Sequence, residues 1–581
     1  MGLSNTYLQS RIKELEEKIK ILEKSKPKKF GLVWEEKAED VVEKCKENIP
    51  ILKLKNKTKG IEPILILDKD KPENILIEGD NYEALNVLNY THRGKIDVIY
   101  IDPPYNTGNT DWRYNNDYVD GNDEWRHSKW ISLMSNRLKI AKNLLTESGI
   151  ICVAIDDYEI YTIGLLLTEI FGFDNKIGQI TIQHHPRGRT QSNTFSTTHE
   201  YAIFFAKDKS KLKTDFCFPD DREEEIESLI RSREDATPES RPNLFYPLYV
   251  NDNGNVSIES NKEYKNIIYP NNRNGNRVWK LIKESLQEEI DNNLIFAKKT
   301  RGEWNIYRRI KRELTNKSKT IWTDSKYDAN THGTNIIKDI FGESVFDFPK
   351  SIYTLKDIVF LLSKNLENSI ILDFFAGSGT TGHAVLELNK DDGGNRKFIL
   401  CTNNENKIAE EVTYERIKRV MKGYKNKKGE EVKGLGGNLK YFKTAFVDKD
   451  KLEGVNDDTK LKLTYEVGEM IGLKEDTLNE IEKNEYWQIF ENLKGEKITA
   501  IYFKEDKEKL GDLVKKLEDY IDDNKPKSTK NNSEKIDGVK VALYVFSWTK
   551  NKYRNEYGSE DIRVEDIPEP ILEVYKEINK I

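Results

Sequence analysis

Two apolar runs in this chain stop abruptly at residues that a strand cannot continue through. Val98-Ile99-Tyr100-Ile101 meets Asp102-Pro103-Pro104-Tyr105. Ile370-Ile371-Leu372 meets Asp373-Phe374-Phe375-Ala376-Gly377-Ser378-Gly379-Thr380-Thr381, after which His383-Ala384-Val385-Leu386-Glu387-Leu388 reads as a helix. Proline has no N–H to give to a ladder, so the first strand ends there and its carbonyls point outward. Glycine permits a tight turn and close backbone approach to a ligand, and the helix start behind it carries unpaired N–H groups. In an open parallel sheet, ligands collect at the carboxyl ends of strands near a switch point. Both motifs are therefore expected in one crevice despite the long stretch of sequence between them.

The first motif suits a nucleobase. An exocyclic amine such as adenine N6 is a poor nucleophile because its lone pair is delocalised into the ring, and acceptors on its N–H groups return that density to nitrogen. Asp102 supplies a carboxylate and Pro103 a carbonyl, while Tyr105 offers a ring on which a base can stack. Taken alone, the tetrapeptide also reads as a strand ending in a Pro-Pro turn with a half-buried tyrosine. The second motif lacks the Gly-x-x-x-x-Gly-Lys-Ser/Thr pattern of triphosphate loops and the full Gly-x-Gly-x-x-Gly dinucleotide fingerprint, which argues against an ATPase or a dehydrogenase.

Around these motifs the periodicity alternates. Ile75-Leu76-Ile77, Gly149 to Ile155 and Tyr201-Ala202-Ile203-Phe204-Phe205 read as buried strands, and Trp130 to Leu145 as an amphipathic helix. Such alternation predicts an α/β fold with a parallel sheet covered by helices on both faces. At 581 residues the chain exceeds one ordinary core. With 37% hydrophobic and 33% charged residues it reads as globular with a well-charged surface. A net charge of −6 argues against nucleic-acid binding by bulk charge, not against a local basic groove. Cys45, Cys152, Cys217 and Cys401 form no Cys-x-x-Cys pair, so neither a disulfide framework nor a metal site is expected, and a reducing cytoplasm fits. The pair His184-His185 is expected at the surface or facing DNA, its two rings on opposite faces of a strand. No apolar run approaches the roughly 20 residues of a membrane span.

Leu8, Ile12, Leu15, Ile19 and Leu22 alternate spacings of four and three, the coiled-coil period, over a length that serves a dimer zipper or a helix folded on its own domain equally well. Further along, Lys298, Lys299, Arg301, Arg308, Arg309, Lys311 and Arg312 surround Trp304 and Tyr307; by itself such a run reads as a solvated helix face. The final stretch, including Val539 to Val545 and a polar loop from Asp522 to Lys535, reads as a separate small α+β domain.

The two motifs in this order resemble the amino-group DNA methyltransferases of the permuted beta type, which use S-adenosylmethionine, and most closely the Mod subunits of type III restriction-modification systems. Gly31-Leu32-Val33-Trp34-Glu35, Ile77-Glu78-Gly79-Asp80-Asn81, Arg126-His127-Ser128-Lys129-Trp130, Thr198-His199-Glu200-Tyr201, Thr331-His332-Gly333-Thr334 and Phe348-Pro349-Lys350-Ser351 extend the resemblance over roughly residues 30–440. It implies a Rossmann-like mixed sheet covered by helices, with a catalytic half (30–205), an inserted target-recognition region (206–340) and a cofactor half (341–440); the apolar pattern alone sets an N-terminal helix and linker (1–29) before it and a C-terminal α+β domain (441–581) after it.

The resemblance also implies roles. Asp102, Pro103, Pro104 and Tyr105 would hold a flipped adenine. Asp373, Phe374, Ala376, Gly377, Ser378, Gly379 and Thr380 would line the cofactor pocket, with Asp80 at the cofactor's adenine and Pro349, Lys350 and Ser351 at its methionine end. Asn403 and Glu405 are both candidates for the ribose. The basic run from Lys298 to Arg312 becomes a candidate DNA contact. Double-stranded DNA, a second copy of the chain and a separate Res subunit are the implied partners, and no metal is required. Cytosine-N4 methylation, with serine more usual at the place of Asp102, and a solitary adenine methyltransferase remain alternatives. RNA or protein-amide methylation and a DNA-binding regulator without catalysis fit these motifs less well.

Overall fold

The computed structural model describes residues 35–581 except 59, 116, 189–194, 220–224, 232, 234, 273–274, 311–314, 367, 448–453, 525–538, 550 and 580–581. The expected helix over Leu8 to Leu22, the candidates Lys311 and Arg312 and most of the loop from Asp522 to Lys535 lie outside the described residues.

The chain divides into two units, 1–213 with 320–581, and 214–319. The first is built on an eleven-stranded sheet: Pro50–Leu54 (β1), Ile64–Ile66 (β2), Glu73–Glu78 (β3), Ile96–Ile101 (β4), Leu145–Ile155 (β5), Lys176–Ile182 (β6), Glu200–Ala206 (β7), Ile321–Trp322 (β8), Ile370–Asp373 (β9), Lys397–Thr402 (β10) and Asn438–Phe446 (β11). Their spatial order is β1-β11-β3-β10-β9-β4-β5-β7-β6-β8, with β2 also on β11. The six strands from β11 to β5 run parallel. Their near-continuous apolar character follows from burial on both faces: Ile75 to Ile77 and Ile399 to Cys401 are fully buried. Beyond β5 the sheet turns antiparallel, since β7 pairs with both β5 and β6 in that sense. The sheet is thus mixed, as the resemblance implied, rather than uniformly parallel as the alternation alone predicted.

This order sets the position of the motifs. β4 leads through the helix Arg126–Leu144 (α2) to β5 on one side, whereas β9 leads through Thr380–Asp392 (α4) to β10 on the other. The two directions diverge between β4 and β9, which are parallel neighbours in register Val98 to Ile371 and Ile99 to Leu372. That gap is the switch point of the sheet, and both motifs leave from its carboxyl edge. The helices Asn81–Thr91 (α1) and Ile352–Ser363 (α3) start from the two other segments that matter, behind Asp80 and Ser351.

The last stretch, expected to stand apart, carries its own five-stranded sheet and a second core around Leu510, Leu513, Val541 and Leu543. Met470, Ile471, Ile571 and Tyr575, however, join the main core beside Cys45 and Leu85, and the Tyr575 hydroxyl donates to the Pro50 carbonyl at 2.8 Å. Among the described residues no helix is long and apolar enough to cross a membrane.

The unit 214–319 is a set of short sheets around Leu248, Trp279 and Ile306. The basic run is not a helix: Ile295–Thr300 and Glu303–Ile310 form an antiparallel hairpin, joined by Arg301 and Gly302 at φ +55° and +89°. Two successive positive φ values match the right-handed twist of a hairpin.

Candidate active site

The loop after β4 is held from behind. Trp130, fully buried on α2, donates its indole N–H to the Pro104 carbonyl at 2.7 Å. Asn106, buried at φ +58°, donates to Glu159 at 2.6 Å and accepts from the Trp112 indole at 3.2 Å. Asparagine is among the few side chains that take this backbone conformation readily. His127 meets the same Glu159 oxygen at 2.6 Å.

In front of the loop lies a charged cluster. Lys350 Nζ is 2.6 Å from Glu200 Oε2, 3.3 Å from Asp102 Oδ1 and 4.5 Å from the centre of the Tyr105 ring, and it donates to the Tyr105 hydroxyl. That hydroxyl donates in turn to Glu200 at 3.0 Å. Lys350 is brought here by close backbone packing: a Cβ on Gly333 would lie 2.2 Å from the Pro349 carbonyl oxygen, so a side chain at 333 would push the segment away.

Burial and charge oppose each other within the cluster. Burial disfavours an ionised Glu200, but Lys350, His184 and the hydrogen bonds from Lys350 and Tyr105 outweigh it and bring the carboxyl down to about 2. At Asp102 burial prevails over Lys350 and the carboxyl sits above its ordinary value. Burial also lifts Asp373 to about 7, against hydrogen bonds from the Thr381 hydroxyl and the Phe375 N–H.

Two cavities meet at this cluster, with Asp102, Pro104, Phe346, Phe375 and Gly377 lining both. One, of about 590 Å³, is also bounded by Asp80, Arg137, Phe374, Asn403 and Glu405. The other, of about 510 Å³, is bounded by Pro103, Tyr105, Glu200, Lys350, Asp373 and, at the glycine loop, by Ala376, Ser378 and Thr380. Two of the expected residues line neither. Ser351 is fully buried with its hydroxyl donating to the Lys326 carbonyl at 2.7 Å, and Gly379, at φ +76°, turns the chain into α4. Asp80 caps α1 by accepting from the Tyr82 N–H at 2.7 Å and pairs with Arg137 at 3.3 Å. Asn403 and Glu405 line the same wall, Glu405 standing 3.5 Å from Arg113.

These walls suit a cofactor that joins an adenosine to an amino acid. Carboxylates at Asp80 and Glu405 offer acceptors for hydroxyl and amino groups at one end, and the Lys350 ammonium suits a carboxylate at the other. Between them Gly377, at φ +49°, presents bare backbone to both cavities.

Sequence reasoning missed four residues. Glu200, Trp130 and Gly333 lie in stretches already matched to the family but given no role. Arg137 carried a different signal, an arginine on the buried stripe of α2; it is 2% exposed and pairs with Glu39 at 2.7 Å. The expectation for the histidine pair fails at His184. It is buried, its Nδ1 3.0 Å from the Tyr327 carbonyl, and burial lowers its pKa to about 4. His185 lines the second cavity.

Among the basic candidates of unit 214–319, Lys298, Lys299 and Arg301 are exposed at the hairpin tip. Arg308 is committed elsewhere, its guanidinium forked onto Glu289 with Nε to oxygen at 2.7 Å, and Arg309 stacks 4.7 Å from the Phe296 ring.

An acceptor loop and a glycine loop on adjacent strands at a switch point define an α/β enzyme that brings a flat polar group to a nucleoside-containing cofactor. The family described as DNA methylase matches residues 96–415, more than half of the chain. The chain belongs to this family, the S-adenosylmethionine-dependent amino-group DNA methyltransferases whose motifs it resembles. It is 35% identical over 356 residues to the type II methyltransferase M.KpnI of Klebsiella pneumoniae, covering 58% of this chain and 82% of that protein. The Mod subunit of the type III restriction-modification enzyme EcoPI from Escherichia phage P1 is 32% identical over 407 residues, covering 60% of this chain and 62% of the subunit. The StyLTI Mod subunit of Salmonella typhimurium is 31% identical over 391 residues, covering 62% and 58%. The chain thus spans about three fifths of these Mod subunits.

Proposed function

We propose that this protein methylates adenine N6 at a short, specific sequence in double-stranded DNA, as the modification subunit of a type III restriction-modification system in the cytoplasm. The observation that carries the reading is the sharing of Asp102, Pro104 and Gly377 between two cavities at the switch point, one lined by Asp80, Asn403 and Glu405 and the other by Pro103, Tyr105 and Lys350, so that a base at Tyr105 and a cofactor running from Asp80 to Lys350 would meet at Asp102. The base would leave the duplex at a cost of a few kcal/mol of lost stacking. Tyr105, its hydroxyl tethered by Glu200 and Lys350, offers the ring against which it rests. Asp102 and the Pro103 carbonyl accept from the amine and draw its lone pair back onto nitrogen. S-adenosylmethionine supplies an electrophilic methyl group. Asp80, Glu405 and Asn403 would hold its nucleoside end and Lys350 its carboxylate. The protein's part is positioning and electrostatics.

Incubation with labelled S-adenosylmethionine and separate DNA, RNA and protein substrates, followed by mapping of the modified base, tests this. Label on adenine of duplex DNA is expected; label on cytosine, RNA or protein overturns the assignment.

The hairpin tip of unit 214–319 is the proposed DNA contact. Reversing Lys298, Lys299 and Arg301 to glutamate is expected to weaken DNA binding and flatten its salt dependence, the log–log slope falling by about 0.9 for each phosphate that is no longer neutralised. Arg308 is a poor probe, because its reversal would break the pair with Glu289. An unchanged slope would return the tip to an ordinary solvated turn.

A homodimer that recruits a separate Res subunit belongs to the same proposal, with one protomer reading the sequence while the other methylates. Light scattering should show a dimer of the full chain. The similarity to a type II methyltransferase over 82% of its length supports a second reading, in which the chain works without a restriction partner. A monomer at micromolar concentration, active on DNA, would favour that reading.

A further inference from the structure

We infer that Glu200 is a positioning residue for methyl transfer: it holds the Lys350 ammonium off Asp102 and leaves that carboxylate available to the target amine. The inference rests on the proposed amino-methyl transfer. Asp102 has to receive an N–H from the substrate, yet an ammonium group stands 3.3 Å from its Oδ1. A lysine closed tightly onto Asp102 would occupy the acceptor and withdraw the negative charge that activates the amine. Glu200 competes for the same ammonium at 2.6 Å, a hydrogen-bonding distance, and the Tyr105 hydroxyl accepts from it as well.

The competition is decided by what each carboxylate is mounted on. Glu200 is the first residue of β7, laddered to Ile182 of β6 and followed by Tyr201 opposite Ile155 of β5, so its backbone is fixed by β6 directly and by β5 through the next residue. Asp102 begins a loop. The same Glu200 oxygen accepts from Tyr105 at 3.0 Å, so one carboxylate sets both the lysine and the ring proposed to stack on the base. Lys350, Tyr105 and, at 3.8 Å, His184 face Glu200, with Asp102 beyond Lys350 and Asp156 on the wall of the same cavity. A buried ammonium stripped of its main partner turns to the next carboxylate in reach. Here that carboxylate is Asp102.

Glu200→Gln keeps the shape and an acceptor for Tyr105 while removing the charge. It is expected to lower kcat by about tenfold or more, with DNA KM and cofactor affinity within roughly threefold, the pattern of a group that acts on the transition state. Glu200→Asp, which restores the charge, should regain part of the rate. Thermal unfolding of each variant, together with Glu200→Asp, separates loss of fold from loss of rate. Wild-type kcat in a folded Glu200→Gln, or a folded Glu200→Asp no faster than Glu200→Gln, overturns the inference. If the wild-type protein does not methylate adenine in DNA, the functional reading itself has failed. If it does, and Asp102→Ala is inactive while Glu200→Gln is normal, only the role of Glu200 is lost.

Discussion

Replacing Asp102 by alanine is expected to lower methyl transfer by about a thousandfold or more, while cofactor affinity stays within a few-fold. The carboxylate is the one charged acceptor that the Asp-Pro-Pro-Tyr loop offers to the amine, and the Pro103 carbonyl alone can engage only one N–H. Asp102 lines both cavities, so its removal also enlarges the shared wall. The groups proposed to hold the ends of the cofactor are other residues, Asp80 and Glu405 in one cavity and Lys350 in the other, and the substitution leaves them unchanged. The loop itself survives the change, because its shape depends on Trp130 at the Pro104 carbonyl and on Asn106 between Glu159 and Trp112. Single-turnover rates with saturating DNA, alongside calorimetric titration of the cofactor, separate the two effects. Near-normal turnover would remove Asp102 from the chemistry, and a parallel collapse of cofactor binding would make it a wall residue.

The parts of this site that were legible in the sequence are those whose chemistry is local. Asp102 to Tyr105 and Asp373 to Thr381 each carry strand, break and functional groups within a dozen residues, and the rule that ligands gather at a switch point was enough to bring them together. Glu200 and Arg137 were not legible because their meaning lies in partners far away in the chain. Glu200 meets Tyr105 across 95 residues and Lys350 across 150, and Arg137 reaches Asp80 across 57. The C-terminal stretch misled for the same reason. Its own strands and core make it look independent, while Tyr575 reaches Pro50 across 525 residues. At the basic run the signal was present and overlooked: Arg301-Gly302 lies between two segments rich in β-branched and aromatic residues, the pattern of a hairpin rather than of a charged helix.

Gly377→Val is expected to abolish measurable cofactor binding while leaving the protein folded. Gly377 sits at φ +49°, where a residue with a Cβ pays roughly 1–2 kcal/mol and a β-branched one more. An added Cβ would already stand in van der Waals contact with the Phe346 ring at 3.4 Å, and the two methyl groups of valine would extend beyond it. Those methyls have nowhere to go except into the cavities that Gly377 divides, since its carbonyl is held from behind by the Thr413 hydroxyl at 2.6 Å. The neighbouring Gly379 would be a less direct probe. It turns the chain into α4 and lines neither cavity, and a Cβ there would press on Thr413 at 3.2 Å, so its replacement would disturb the turn before it disturbed a ligand. The sheet behind the loop gives no reason for unfolding, because its core at Ile371 and Leu372 of β9 is fully buried. Calorimetry should therefore rank glycine above alanine above valine in affinity for S-adenosylmethionine, with similar thermal midpoints across the series. Equal affinities in all three proteins would mean that the loop serves only the fold and that the cofactor is held elsewhere.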